Sequence, residues 1–64
     1  MRKIDMFEKM YEIDMERKNS IQAYGEKHPY TKFADAEYWG ARAVIEAAGL
    51  FNDYFDFKMK KMRG

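Results

Sequence analysis

IEAAGLFNDYF, residues 45–55, is the stretch that decides the fold, because it places a glycine between two helical patterns. If Gly49 takes the left-handed conformation that ends many helices, Leu50 would contact Ile45 as in a Schellman motif, and Asn52 would cap a third helix. If the helix continues instead, the glycine costs only ~1 kcal/mol relative to alanine. The apolar phase of the preceding residues carries on past Gly49, which favours a continuous or kinked helix.

A second interruption of the helical pattern lies at residues 25–31, Gly-Glu-Lys-His-Pro-Tyr-Thr. Gly25 is suited to end a helix, Pro29 cannot continue one, and Thr31 is suited to cap the next. His28 is expected to be a solvated loop residue. These signals indicate a turn between two helices.

Neither side of that turn shows the alternating pattern of a strand, and the chain holds only one Val, four Ile and one Thr. We therefore predict a single all-α domain over residues 1–64. One helix covers residues 3–24, and a second helical region covers residues 32–62. The fold is expected to be a helical hairpin of two long helices, with a possible kink or break at Gly49.

The second helical region is apolar on two sides. A face rich in small residues is expected to receive the first helix; it comprises Phe33, Ala36, Gly40, Ala43, Val44, Ala47, Phe51, Tyr54, Phe55 and Met62. A weaker stripe lies behind it and comprises Ala34, Tyr38, Ala41, Ile45, Ala48 and Met59. A helix that is apolar on two sides is normally covered on both, and the first helix covers only one. The sequence therefore predicts a homodimer, in a four-helix arrangement.

The composition favours association as well. The chain holds five Tyr, five Phe, one Trp and six Met, a heavy load of large side chains for 64 residues. A domain of this size buries only about 60% of its unfolded surface. With no cysteine and a single histidine, neither disulfides nor a structural zinc site stabilises it. Self-association or a partner protein is the remaining source of stability.

The weaker stripe supplies the predicted partner-binding residues: Tyr38, Trp39, Arg42 and Ile45, with Phe57 beside them. Under this hypothesis, the variant Ile45→Glu loses assembly or partner binding while its helicity survives. The predicted function is a small non-enzymatic module that self-associates and binds, regulates or inhibits an unidentified partner protein.

Two charged residues, Asp14 and Arg17, fall within the apolar arc of the first helix. Their i, i+3 spacing allows them to pair with each other. Charges on a contact face usually fix the register between helices. We therefore predict that Asp14 and Arg17 form an interhelical ion pair that orders a dimer.

The far side of the first helix carries an acidic ridge, formed by Asp5, Glu8, Glu12, Glu16 and Asn19. An ordinary solvated face explains this ridge. A more specific hypothesis makes it a mimic of nucleic-acid phosphate that inhibits another protein. Charge reversal at Glu8, Glu12 and Glu16 would then destroy activity without unfolding the chain.

A basic cluster at the C-terminus provides an alternative function; it comprises Lys58, Lys60, Lys61 and Arg63. Cations at this end of a helix complement the helix dipole, and they are also suited to hold phosphates. The alternative is a helix-turn-helix-like DNA-binding regulator that uses residues 46–63 and breaks at Gly49. Nucleic acid is thus a second candidate partner.

Part of this region resembles a known DNA-binding family. The run Glu46-Ala47-Ala48-Gly49-Leu50, with Phe57-Lys58 after it, is similar over about a dozen residues to the headpiece of TetR-type repressors. The family's Ser/Thr-rich turn is missing, and Asp53 and Asp56 would face the phosphates of DNA. The chain is not assigned to that family.

The sequence contains no constellation that supports catalysis. Ser20, Thr31 and His28 are the only residues of their types, and the glycines form no phosphate-binding loop. We predict no enzymatic activity, no catalytic residues, no metal and no cofactor. The net charge of +1 and the lack of a long apolar run predict a cytoplasmic protein without membrane contact.

Overall fold

The computed structural model describes residues 2–64 and contains three helices: α1 (Lys3–Tyr24), α2 (Pro29–Ala47) and α3 (Phe51–Arg63). Within this part of the chain there is no strand, so the predicted all-α class is confirmed, as are the bounds of the first helix. The predicted hairpin of two long helices is not confirmed, and the break at Gly49 that the sequence left open is present. The second helical region divides at Gly49 and begins three residues earlier than expected.

The division at Gly49 is a Schellman motif. Gly49 has a φ of 71°, a left-handed conformation that glycine adopts without a Cβ penalty. Its N–H donates to the carbonyl of Glu46 at 3.0 Å, and the N–H of Leu50 donates to the carbonyl of Ile45 at 3.0 Å. These bonds satisfy carbonyls at the end of α2. Asn52 does not cap α3, because α3 begins one residue before it and its cap position is Leu50.

The turn between α1 and α2 follows the expected punctuation, with a different capping residue. Gly25, at a φ of 86°, ends α1, and Pro29 occupies the first position of α2, where its missing N–H is not needed. His28 caps α2, since its Nδ1 accepts a hydrogen bond from the backbone N–H of Tyr30 at 3.1 Å. The histidine is therefore half-buried and structural, and the prediction of a solvated loop residue is wrong.

Thr31, which the sequence suggested as the cap, lies inside the first turn of α2. Its side chain is among the most buried of the described residues, and its hydroxyl donates to the carbonyl of Ser20 at 3.1 Å. This bond joins the end of α1 to the start of α2. A buried hydroxyl with a partner inside the fold is no longer available to cap a helix end.

The three helices meet in one apolar cluster formed by Phe7, Met10, Tyr38, Ile45 and Tyr54. The helices α1 and α2 run antiparallel, while α3 lies along the first half of α1. The ring of Phe7 packs 5.8 Å from that of Tyr54 and 5.6 Å from that of Phe57. Lys3 ties the start of α1 to Asp53 of α3 at 3.2 Å.

The assignment of the two faces of α2 is the reverse of the predicted one. The weaker stripe faces α1, with Ala34, Tyr38 and Ile45 all buried. The small residues expected to receive the first helix are exposed instead; they are Ala36, Gly40, Ala43 and Ala47. Burial of a tyrosine and an isoleucine removes far more apolar area from water than burial of alanine and glycine, which explains this outcome.

Candidate protein-interaction surfaces

Asp14 and Arg17 do not pair with each other. The carboxylate of Asp14, 7% exposed, accepts hydrogen bonds from the hydroxyl of Tyr54 at 2.9 Å and from Nζ of Lys58 at 2.7 Å. Arg17 turns to α2, where its Nε donates to Asp35 at 2.6 Å. The predicted Asp14–Arg17 pair is wrong because the arc that holds them contacts two different helices. Each charge joins α1 to one of those helices within a single chain.

The same network changes the role of the basic cluster. Lys58 is engaged by Asp14, and its side chain is only 24% exposed. Its proposed phosphate contact is therefore corrected to a structural contact. Lys60, Lys61 and Arg63 remain exposed, and the ammonium of Lys61 lies 5.7 Å from the centroid of the Tyr11 ring.

Tyr54 gives this network a pH dependence. Burial, and after it the hydrogen bond to Asp14, raises the pKa of the Tyr54 phenol above its ordinary value of 10.0. Below pH 10.0 the Tyr54 phenol keeps its proton in both the folded and the unfolded chain, so its contribution to stability is fully present. Above pH 10.0 the unfolded chain loses a proton that the folded chain retains, and the free energy of unfolding falls.

We expect urea titrations to show this effect. One pH unit above the ordinary tyrosine pKa, the raised Tyr54 pKa lowers the free energy of unfolding by about 1.4 kcal/mol. The variant Tyr54→Phe has no phenol at this position. Between neutral pH and the same alkaline pH, its free energy of unfolding should therefore fall by about 1.4 kcal/mol less than that of the parent chain. Equal losses in the two proteins would show that Tyr54 ionises as easily in the folded chain as in the unfolded one.

The predicted partner-binding residues do not form one surface. Tyr38 is 9% exposed and Ile45 is 3% exposed, and both pack in the core against α1. Phe57 is half-buried against Phe7. Because these three side chains hold the chain's own helices together, they are not free to contact a partner, and this part of the prediction is corrected.

Trp39 and Arg42 are the two predicted residues that reach the surface. Trp39 is 50% exposed. The guanidinium of Arg42 lies 4.9 Å from the Trp39 ring and 4.4 Å from the ring of Phe51, and its Nε donates to Glu46 at 2.7 Å. The stacked guanidinium connects the side of α2 to the start of α3.

The chain exposes more surface than a compact monomer of its size, and large apolar side chains are part of that surface. The accessible area is 4840 Å², against roughly 4300 Å² expected for a folded monomer of this mass. Nine large apolar side chains among residues 2–64 are at least 39% exposed: Ile4, Tyr24, Tyr30, Phe33, Trp39, Val44, Phe55, Met59 and Met62. Most of them fall on α2 and α3.

The first of these regions is the outer face of α2, which we define by Pro29, Phe33, Ala36, Gly40, Ala43, Val44 and Ala47, all exposed. Phe33 is 80% exposed and Val44 is 62% exposed. A Cβ added at Gly40 would meet no atom within 4 Å. The sequence identified these residues as apolar but assigned them to the interior of the hairpin.

The second region is the α3 surface, which we define by Phe55, Met59 and Met62. These residues stand at i, i+4 and i+7 and are 50%, 39% and 51% exposed. One turn earlier on the same side, Phe51 meets the Arg42 stack. The spacing of these three residues is visible in the sequence. The structure adds that they lie on the exposed side of a separate helix, α3, whose other side is buried through Tyr54.

The acidic ridge of α1 is solvated and partly neutralised. Asp5 pairs with Arg2 at 3.3 Å and Glu12 pairs with Lys9 at 3.7 Å. Exposed pairs of this kind contribute little to stability. Glu16 borders a groove of about 540 Å³ whose other walls include Tyr24 and Tyr30. The ridge thus shows the features of an ordinary solvated helix face.

Other kinds of site are not found in the described part of the chain. Across residues 2–64, no group of three or more His, Cys, Asp or Glu side chains is placed to hold a metal ion. None of the helices there contains a stretch long and apolar enough to cross a membrane.

Comparison with known proteins finds no match: no family model fits the chain, and no curated protein and no solved structure is significantly similar to it.

Proposed function

We propose that this chain is a small non-enzymatic protein-interaction module that self-associates through the outer face of α2 and binds and regulates a partner protein through the α3 surface. One observation carries the proposal. Nine large apolar side chains are exposed, against six apolar residues buried in the core of residues 2–64. Exposed apolar patches of this kind are characteristic of protein-binding surfaces.

The α3 surface has the form of a helix that enters a groove on its partner. Anchors at i, i+4 and i+7 are the pattern by which amphipathic helices dock into hydrophobic grooves. Phe55, Met59 and Met62 supply those anchors. Arg42 stacks on Trp39 and on Phe51, which lies one turn before Phe55. Tryptophan and arginine are enriched among the residues that dominate binding energy. Because Lys58 and Tyr54 fix α3 to α1, the anchors are presented on a rigid helix.

Charged replacements on the α3 surface are expected to abolish partner binding. The double variant Phe55→Glu, Met59→Glu removes two anchors, while both positions are exposed enough for the fold to remain. The measurement is affinity capture of the tagged protein from a lysate of its source cells, treated with nuclease. The variant should lose at least nine tenths of the protein captured by the parent chain.

Lys60→Gln provides the matched control, since it changes a charge on the opposite side of α3 and should leave capture unchanged. Circular dichroism checks that both variants keep their helices. If the double variant folds and still captures the same protein at the same level, the α3 surface is not the binding site.

DNA binding is the second candidate, because the break at Gly49 is the turn that this hypothesis needs. The helix that follows ends in Lys60, Lys61 and Arg63. Asp53 and Asp56 are exposed on the same helix, and Lys58 is engaged by Asp14, so fewer cations face a phosphate backbone. These observations favour a protein partner over DNA.

The capture experiment separates the two candidates. Recovery of nucleic acid, with companion proteins lost on nuclease digestion, would support the DNA-binding candidate. In that case, replacement of Lys60, Lys61 and Arg63 by glutamine should lower DNA affinity and flatten its dependence on salt.

A further inference from the structure

We propose that the outer face of α2 packs against the same face of a second copy, with the two α2 helices antiparallel and the two-fold axis passing beside Gly40. This inference rests on the self-association part of the proposed function and adds the occupant, the direction and the register. From Phe33 to Ala47 the face runs for about 21 Å, at the α-helical rise of about 1.5 Å per residue.

The sizes of the side chains match under this symmetry. With Gly40 opposite Gly40 of the second copy, each step toward the N-terminus on one helix is a step toward the C-terminus on the other. Phe33 then lies opposite Ala47 of the second copy, and Val44 lies opposite its Ala36. Every large exposed side chain on the axis of this face thus meets a small one, which allows the helices to approach closely.

A parallel pairing lacks this complementarity. It would place Phe33 opposite Phe33 of the second copy and Val44 opposite its Val44, while the small residues faced each other across a gap. Bulky pairs at those two positions would hold the helices apart. The size pattern therefore favours the antiparallel direction.

Gly40 supports the position of the axis. It lies inside α2, where glycine costs about 1 kcal/mol relative to alanine. Nothing within the chain requires a glycine there, since an added Cβ meets no atom within 4 Å. A close approach of two backbones at the two-fold axis accounts for a residue without a side chain.

The charges beside the face are complementary as well. A two-fold axis brings like edges of the two faces together. On the edge next to α1, Glu37 reaches the level of Ala43 of the second copy, where Lys9 of that copy lines a groove with Val44. Glu37 forms no ion pair within residues 2–64. Lys9 contacts Glu12 of its own chain at 3.7 Å, but both of those side chains are well exposed, so the lysine is able to exchange that weak contact for Glu37.

The opposite edge repeats this relation. Lys32 of one copy reaches the level of Ala48 of the other, close to its Glu46, whose carboxylate also accepts a hydrogen bond from Arg42 of its own chain. Each contact occurs twice by symmetry. The chain's net charge of +1 adds little general repulsion between copies.

Disulfide trapping tests the pairing directly, because the chain has no cysteine of its own. Gly40→Cys should form a symmetric disulfide at least tenfold faster than Ala23→Cys, an exposed control on the far side of α1. Disulfides require Cβ atoms roughly 3.8 Å apart. A mixture of Phe33→Cys and Ala47→Cys should yield mainly the mixed dimer, since antiparallel helices bring these two positions together.

Each other outcome overturns the proposal. Disulfides joining Phe33→Cys to itself and Ala47→Cys to itself would show a parallel pair. If the protein is a dimer but Gly40→Cys forms its disulfide no faster than Ala23→Cys, the dimer uses another face. That result would contradict the pairing proposed here but not self-association itself. A monomer that still captures its partner through the α3 surface would remove self-association and leave partner binding.

A second variant keeps the test independent of disulfide chemistry. Gly40→Leu places its side chain in open space within the monomer and improves helix propensity, so the fold is retained. At the two-fold axis the same side chain separates the helices and should weaken the dimer at least tenfold. A Gly40→Leu protein that dimerises as tightly as the parent would contradict the inference.

Discussion

Glutamate in place of Ile45 is expected to unfold the chain, whereas glutamate in place of the adjacent Val44 is expected to leave it folded. Ile45 is 3% exposed and Val44 is 62% exposed. Removal of a buried isoleucine side chain alone costs about 2–5 kcal/mol, and the new carboxylate would have no buried partner. A core of this size rarely supplies more than about 3–5 kcal/mol in total.

Far-UV circular dichroism at neutral pH measures both variants. Ile45→Glu should lose most of its helical signal. Val44→Glu should keep it and should melt lower than the parent chain only by the stability that self-association adds. Its defect should be limited to self-association. An Ile45→Glu protein that stays helical and melts cooperatively near the parent temperature would contradict the burial of this residue against α1.

Alanine in place of Tyr54 is expected to release α3 from the other helices. Tyr54 is the one buried residue of α3, all of which the structure describes. Its ring contacts Phe7, and its hydroxyl donates to Asp14. Truncation of a large buried aromatic side chain costs about 3–5 kcal/mol. The loss of a donor to a buried carboxylate adds to this cost.

Phe55→Ala is the matched control, because Phe55 follows Tyr54 directly and is 50% exposed. Urea unfolding should place the control within about 0.5 kcal/mol of the parent. Hydrogen exchange of Tyr54→Ala should show the amides of α3 exchanging rapidly, with those of α1 less affected. Equal stability of the two variants would mean that Tyr54 does not hold α3 in place.

The connection between α1 and α2 was predictable from the residues within it. Gly25 and Pro29 act through backbone conformations that no distant contact alters, so they located the end of α1 correctly. The choice between His28 and Thr31 as the cap was not predictable in the same way. It depended on the carbonyl of Ser20, which becomes available only when α1 and α2 pack.

The break at Gly49 was visible in the sequence but was outweighed by an apparent apolar phase. That phase joined residues that the structure separates. Tyr54 is buried against the other helices, while Phe55 and Met62 are exposed, and Phe51 is half-buried against Arg42. Because α3 carries apolar residues on both sides, its sequence matched the continuation of the apolar face of α2. The helix nevertheless ends at Gly49, where the Schellman hydrogen bonds satisfy the last carbonyls of α2.

The same difficulty affected the candidate surfaces. Periodicity shows that α2 is apolar on two sides, but it does not say which side packs inside the chain. Side-chain size decides that question, since Tyr38 and Ile45 bury more area than the small residues opposite them. Likewise, Asp14 and Arg17 are neighbours on α1, yet their partners Lys58 and Asp35 are distant in sequence and become apparent only in the folded chain.

The most direct test of the account is the mass of the untagged protein in solution, measured by sedimentation equilibrium from micromolar to millimolar concentration. Self-association through the outer face of α2 predicts a dimer of 15.4 kDa, twice the chain mass of 7.7 kDa, and a Val44→Glu variant that stays at the chain mass. A parent chain that remains monomeric at every concentration, or a Val44→Glu variant that dimerises equally well, would contradict it.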